Sequence, residues 1–137
     1  MLESVAAGRI LSVPGPHDSI MAGLNCGRPS LVAWPTVSRG IDVLVAVDDE
    51  PAREAMRLTA ASGIVSGETG AAGLGGLLEL LRRGGESPDQ EKARRALGVG
   101  GEGRVLLFNC EGATDPDRYR ELVGGARLAR KPPEGEA

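Results

Sequence analysis

With 137 residues, a formal net charge of -3 and a pI near 5.2, the chain has room for one domain and lacks the basic surface that nucleic acid or an anionic membrane requires. Its 21 glycines, three aromatics (Trp34, Phe108, Tyr119) and about 23% Leu, Ile, Val and Phe lie just above the composition at which disorder is the better expectation, so a large self-sufficient core is doubtful. No apolar run nears the roughly 20 residues that span a bilayer, the start does not read as a signal peptide, and two cysteines with one histidine exclude a disulfide scaffold and a structural zinc site, which predicts a soluble cytoplasmic chain.

Leu2 to Gly8 reads as the tail of a helix that Gly8 terminates, reached without an N-cap as though it began earlier. Ile10–Val13 is strand-like and stops at Pro14-Gly15-Pro16. A short helix is expected over Ser19–Leu24, with Asp18 or Ser19 as its cap, and another over Ser30–Val37 despite Pro35. Asp42–Val47 is a nearly continuous apolar run, the pattern of a strand buried on both faces. It leads into Asp48-Asp49-Glu50-Pro51, where carboxylates and an early proline mark a helix start. Ala52, Ala55, Met56 and Thr59 share one face of that helix, and Gly63 ends it.

A short strand, Ile64-Val65, precedes a third helix striped by Ala71, Leu74, Leu77, Leu78 and Leu81 and running to Arg83. Ser87-Pro88-Asp89-Gln90 has the form of a capping box, and its helix ends at Gly98. Arg104–Asn109 is a second buried strand, and Thr114-Asp115-Pro116 caps a last helix through Val123. Residues 1–124 therefore form the folded part, and 125–137 a polar, disordered tail. Strands alternating with helices predict an α/β fold with a parallel sheet, yet two or three strands are too few to make such a sheet alone.

Three segments are candidates for chemistry. Gly98-Val99-Gly100-Gly101-Glu102-Gly103 satisfies the GxGxxG spacing but follows a helix and precedes a strand, the reverse of a dinucleotide-binding turn, so it reads as a plain loop. In Ser66–Gly76, glycines at 70, 73 and 76 follow helical spacing, which serves either tight helix packing or a ligand contact, and Glu68 sits favourably in the helix field. Cys110-Glu111-Gly112-Ala113-Thr114-Asp115 lies beyond the end of the second strand, where ligands of open α/β sheets gather; Cys110 is either a ligand contact or a buried structural thiol. His17 reads as a loop residue, and no nucleophile, base and orienting group stand at a recognisable spacing.

In this order, the segments resemble a known family. Asp18-Ser19-Ile20-Met21-Ala22-Gly23-Leu24-Asn25-Cys26-Gly27, with Pro29 and Trp34, is similar to the T-I-M-A-G-L-x-C-G-x-P…A-W segment of diaminopropionate ammonia-lyases. Ser66–Gly75 resembles their S-G-E-S-G-A-x-G-L-G, and Glu111–Asp115 with Tyr119-Arg120-Glu121 resembles T-E-G-x-T-D…Y-R-E. Threonine dehydratases and threonine synthases share the architecture with looser motifs.

The resemblance implies the C-terminal part of the large domain of a fold-type-II enzyme, a partial three-layer α/β parallel sheet like that of tryptophan synthase β, with pyridoxal 5′-phosphate (PLP) as cofactor. It implies amino-acid catabolism by removal of an α-proton and elimination of the β-group, converting a small amino acid such as diaminopropionate to pyruvate and ammonia. The cofactor would be the electron sink, oriented by the protein. Among site residues it implies Cys110 or Asn109 beside the pyridine nitrogen (Cys110 favoured, where the family usually shows threonine), Glu68 near the cofactor, and backbone of Met21, Ala22 and Gly23 along the ring.

The family's Schiff-base lysine and phosphate loop lie upstream and have no counterpart. Lys92 and Lys131, the two lysines, fall on a surface helix and in the tail. The chain alone is therefore expected to be an inactive fragment with no catalytic residue of its own, pairing with a second copy or with a missing N-terminal portion. A non-catalytic interaction or regulatory module derived from that fold is the alternative, and a small nucleotide-binding α/β domain would need a strand, glycine loop and helix in that order.

Overall fold

The computed structural model describes residues 1–82 and 88–124. The first helix, α1 (Leu2–Ala6), stops as expected at Gly8, whose φ of +64° suits glycine. The buried Ser4 hydroxyl then accepts a hydrogen bond from Leu11 N at 3.0 Å and faces Leu11 O at 3.4 Å, while Val13 N donates to Gly27 O at 2.7 Å. With its backbone groups taken by a side chain and a loop, Ile10–Val13 forms no strand.

The helix expected over Ser19–Leu24 contracts to one 3₁₀ turn, Ala22–Leu24. Two side chains account for this. The Ser19 hydroxyl donates to Asp49 Oδ1 at 2.7 Å and accepts from Met21 N at 3.1 Å, and the Asn25 amide donates to Ser19 O at 2.7 Å, occupying a carbonyl that a helix would need. Helix α2 (Trp34–Gly40) begins four residues later than Ser30 and so carries Pro35 in its first turn, where a missing N–H breaks no helical bond.

Helix α3 (Asp49–Ala61) starts at the acidic cluster, with Asp49 and Glu50 in its first turn, and Gly63 follows its end at φ +78°. Ala52, Ala55, Met56 and Ala60 are fully buried. Thr59, expected on that face, is half-buried and turns its hydroxyl back to Ala55 O and Met56 O, both at 3.0 Å. Helix α4 (Ala72–Leu81) brings Leu74 and Leu78 of the expected stripe, with Ala71 just before it, against the core; Leu77 is half-buried, and Leu80 is buried where Leu81, expected on that face, is exposed. Arg83 and the Ser87 cap lie outside the described residues, as does the tail from 125. Helices α5 (Pro88–Leu97) and α6 (Pro116–Val123) occupy the expected segments, and the Asp115 carboxylate caps α6 by accepting from Asp117 N and Arg118 N at 3.1 Å each.

Helix α3 packs against α4 and α6, and α4 against α5. The core is small: Ala55, Met56 and Ala60 meet Ala71, Tyr119 and Val123, with Leu74, Leu78, Ala113 and Leu122 around them. Gly75 makes the α3–α4 contact close, because a Cβ there would lie 3.1 Å from backbone atoms of Pro51 and Ala52. Tyr119 buries its hydroxyl without a hydrogen-bond partner among the described residues.

Neither strand-like run joins a ladder: among the described residues no β-strand forms, and segments 42–47 and 104–110 make no backbone hydrogen bond. The expected burial on both faces is absent too, Leu106 being 79% and Phe108 80% exposed. Leu107 is less open and lies against the Gly73 side of α4. The described residues thus supply a helical layer and two open segments laid beside it. None of these helices is long and apolar enough to cross a membrane.

Candidate cofactor site

The loop that opens α4 and the segment that follows Phe108 are joined by four hydrogen bonds. The Asn109 amide donates to Val65 O at 2.9 Å and accepts from the buried Ser66 hydroxyl at 3.0 Å. Two residues on, Glu111 accepts twice: its carbonyl takes Gly67 N at 2.9 Å, and its carboxylate takes Thr69 N at 2.8 Å. The carboxylate thereby satisfies a donor at the head of α4 from 42 positions away in sequence. Glu68, its side chain 13% exposed, pairs with Arg118 at the start of α6 at 3.0 Å.

Glycine makes this closeness feasible. A Cβ on Gly67 would strike Gly112 O, and one on Gly70 would strike Asn109 Oδ1 and lie 2.5 Å from Glu111 O. The third segment arrives at the same loop, Gly23 N donating to the Thr69 hydroxyl at 3.1 Å, and a Cβ on Gly23 would sit 2.9 Å from the Thr69 methyl. Of the two roles open for the glycine-rich stretch, close packing is visible at Gly67, Gly70 and Gly75; Gly76 has nothing within 4 Å.

The structure brings Glu68, Asn109, Cys110 and Gly23 to one junction, with Ala22 beside Gly23 and exposed. Cys110 stands between Asn109 and Glu111, both of which are bonded to the 65–70 loop. Its thiol is free and exposed, which removes the buried structural role considered for it. His17 is exposed, with Nε2 at 3.2 Å from Val13 O, and the described residues hold no cluster of His, Cys, Asp and Glu suited to a metal. The 98–103 glycines form the loop between α5 and the open segment, with Gly103 N donating to Gly100 O at 2.9 Å.

Residues 1–93 match the family described as pyridoxal-phosphate dependent enzymes. The chain belongs to that family. As a pyridoxal-phosphate dependent enzyme chain of fold type II, it contains Ala22, Gly23 and Glu68 within the matched residues, and Asn109 and Cys110 beyond them. The similarity to curated relatives reaches further. The chain is 37% identical over 123 residues to the diaminopropionate ammonia-lyase of Salmonella typhimurium, covering 85% of this chain and 30% of that protein. It is 32% identical over 130 residues to the diaminopropionate ammonia-lyase of Escherichia coli K12, covering 91% of this chain and 32% of that protein. The chain thus spans about a third of the length of the curated relatives it matches.

Sequence reasoning missed four contributors to the junction: Ser66, Thr69, Glu111 and Arg118. Three of them stand inside the motifs already singled out. Their bonding across more than 40 positions leaves no local periodicity to detect.

Proposed function

We propose that this chain contributes the C-terminal part of a PLP-dependent ammonia-lyase that releases ammonia from a small amino acid such as diaminopropionate. The observation that carries the reading is the junction itself: three segments resembling the ammonia-lyase motifs, far apart in sequence, meet at one loop.

The residues present fit an edge of the cofactor and not its attachment. Cys110 offers an exposed thiol, a weak donor and acceptor suited to a neutral pyridine nitrogen, and Ala22 and Gly23 are exposed where Gly23 meets Thr69 of the loop that opens α4. Asn109 is spoken for by Ser66 and Val65, so its role is to fix where Cys110 stands. Glu68 keeps its carboxylate on Arg118, and that pair sets the approach of α6 to the head of α4.

We place the covalent anchor elsewhere than Lys92, whose helix, α5, is joined to α4 through Gln90 and Glu79, seven residues past the start of α4 at Ala72, or about 10 Å along the helix axis. PLP, when bound, supplies an electron sink. The reading extends to a parallel sheet over the helical layer, a small amino-acid substrate, pairing with a second copy or with further enzyme sequence, and a cytoplasmic site of action.

Incubation of the chain with PLP and borohydride, followed by mass spectrometry and by pyruvate release from diaminopropionate, tests it. The chain alone is expected to trap no cofactor on Lys92 and to form no pyruvate. Co-expressed with the part of the Salmonella typhimurium relative that it does not match, it is expected to form pyruvate, and the C110S variant to shift the bound cofactor's absorbance. Turnover by the chain alone, or none in the soluble complex, refutes the reading.

A further inference from the structure

Thr69 stands where the three motif segments meet, and its two polar ends face different ones. Its hydroxyl accepts from Gly23 N at 3.1 Å, and its own N–H donates to Glu111 Oε2 at 2.8 Å. The residues just before the Ala22–Leu24 turn are tied to the start of α3, the Ser19 hydroxyl and Ile20 N both donating to Asp49. Among the described residues, the bond from Gly23 to Thr69 is the one hydrogen bond between that turn and the loop opening α4. Glu111 holds the same loop twice, through its carboxylate and through its carbonyl, which takes Gly67 N at 2.9 Å. The carboxylate reaches Thr69 by crossing Gly67, where a Cβ would lie 3.1 Å from Glu111 Cγ and 3.2 Å from its Cδ. Glycine at 67 keeps that path open.

We propose that Glu111 is a positioning residue that acts through Thr69, so that the Ala22-Gly23 turn and the Cys110 segment, the two stretches offered to the cofactor, keep one relative position. This rests on the functional reading above and names what couples the parts of its site. Glu111 adjoins Cys110 in the chain, so the backbone that carries the thiol is held by the bonds Glu111 makes. The bond from Thr69 N to a carboxylate is charge-assisted and is the stronger link of the two. With the Thr69 backbone fixed in this way, its hydroxyl stays in register with Gly23 N. Glu111 makes no bond to Gly23 itself, so its effect on the turn passes through one residue.

Amide hydrogen exchange in the chain, followed residue by residue by NMR, tests the coupling. E111A is expected to speed the Thr69 amide by about tenfold or more, and the Gly23 amide with it. E111Q, whose side-chain oxygen still accepts, should return both towards the parent rates. T69V should speed Gly23 by up to about tenfold while the amide at position 69 stays slow, and T69S should keep both slow. Because Glu111 reaches Gly23 through Thr69, E111A should add nothing at Gly23 in the T69V background. In the PLP-loaded complex with the unmatched part of the Salmonella typhimurium relative, E111A is expected to shift the cofactor's absorbance and lower kcat, and E111Q to restore both.

A Gly23 amide that keeps its parent rate in E111A overturns the proposal, as do additive effects of E111A and T69V at that amide. Faster exchange throughout α3, at Met56 and Ala60 as well, would mean general loosening and overturns it too. So does an E111A complex with unshifted absorbance. The two ideas fail separately: a parent complex without turnover sinks the ammonia-lyase reading while the amide rates still decide the coupling, and turnover with uncoupled amides sinks the coupling alone.

Discussion

Replacing Gly70 by alanine puts one methyl group into the most crowded point of the junction. Its carbon would lie 2.5 Å from Glu111 O and 3.0 Å from Ser66 Oγ, and closer still to Asn109 Oδ1. Carbon and oxygen need more than 3 Å, so the loop must retreat by several tenths of an ångström from three oxygens at once. Overpacking of this kind costs about 1–3 kcal/mol, and parting Ser66 from Asn109 adds about 1 kcal/mol. A loss of about 2–4 kcal/mol is therefore expected from denaturant unfolding. Gly76 is the matched control: it is helical, nothing lies within 4 Å of its Cβ position, and G76A should stabilise the isolated chain by about 0.5–1 kcal/mol. A double-mutant cycle assigns the cause, since in the N109A background the G70A penalty should fall by about 1 kcal/mol. Equal effects of G70A and G76A would refute the assignment of this contact.

D115A should cost about 0.5–2 kcal/mol, because two α6 donors lose their acceptor, with loss of helical signal as the check. Y119F should raise stability by about 1 kcal/mol, since it removes a buried hydroxyl that has no partner among the described residues. Burial also raises the Tyr119 phenol above its ordinary value, so its contribution is intact below the unfolded value of about 10 and lost as pH rises through the folded one; the variant should flatten that alkaline fall in Tm. At the acid end, the hydrogen bond from Arg57, aided by Arg53, holds the Glu50 carboxyl below the usual carboxylate range. Its contribution is present above the unfolded value of about 4.3 and lost as pH falls through the lower folded value, so R57A should shallow the acid slope of Tm.

Helices with a marked beginning and end were legible in the sequence. The acidic start and Gly63 bracket α3, and Asp115-Pro116 begins α6, because caps and breakers act within a few residues. The phase of α4 was legible in part: Ala71, Leu74 and Leu78 of the expected stripe reach the core, but leucines also stand at 77, 80 and 81, and an apolar run without a polar face does not say that Leu80 rather than Leu81 is buried. The strands failed for a different reason. Residues 42–47 and 104–109 have strand composition, but a ladder is a property of paired segments, and among the described residues neither of these bonds to the other or to a third. Candidate site residues emerged from motif resemblance, whereas the bonds holding them, Asn109 to Ser66 and Glu111 to Thr69, depend on the folded path.

The bare Leu106–Phe108 face has a consequence for the chain's life in solution. Val105–Cys110 contains no charge and no proline, and such short, strand-prone runs are what cross-β aggregates recruit. Arg104 and Glu111 stand at its two ends in the manner of gatekeepers, but Glu111 is engaged with the α4 loop, which leaves Arg104 as the one flanking charge without such a tie. Solubility of the chain is thus expected to fall with concentration and salt well before its helices unfold.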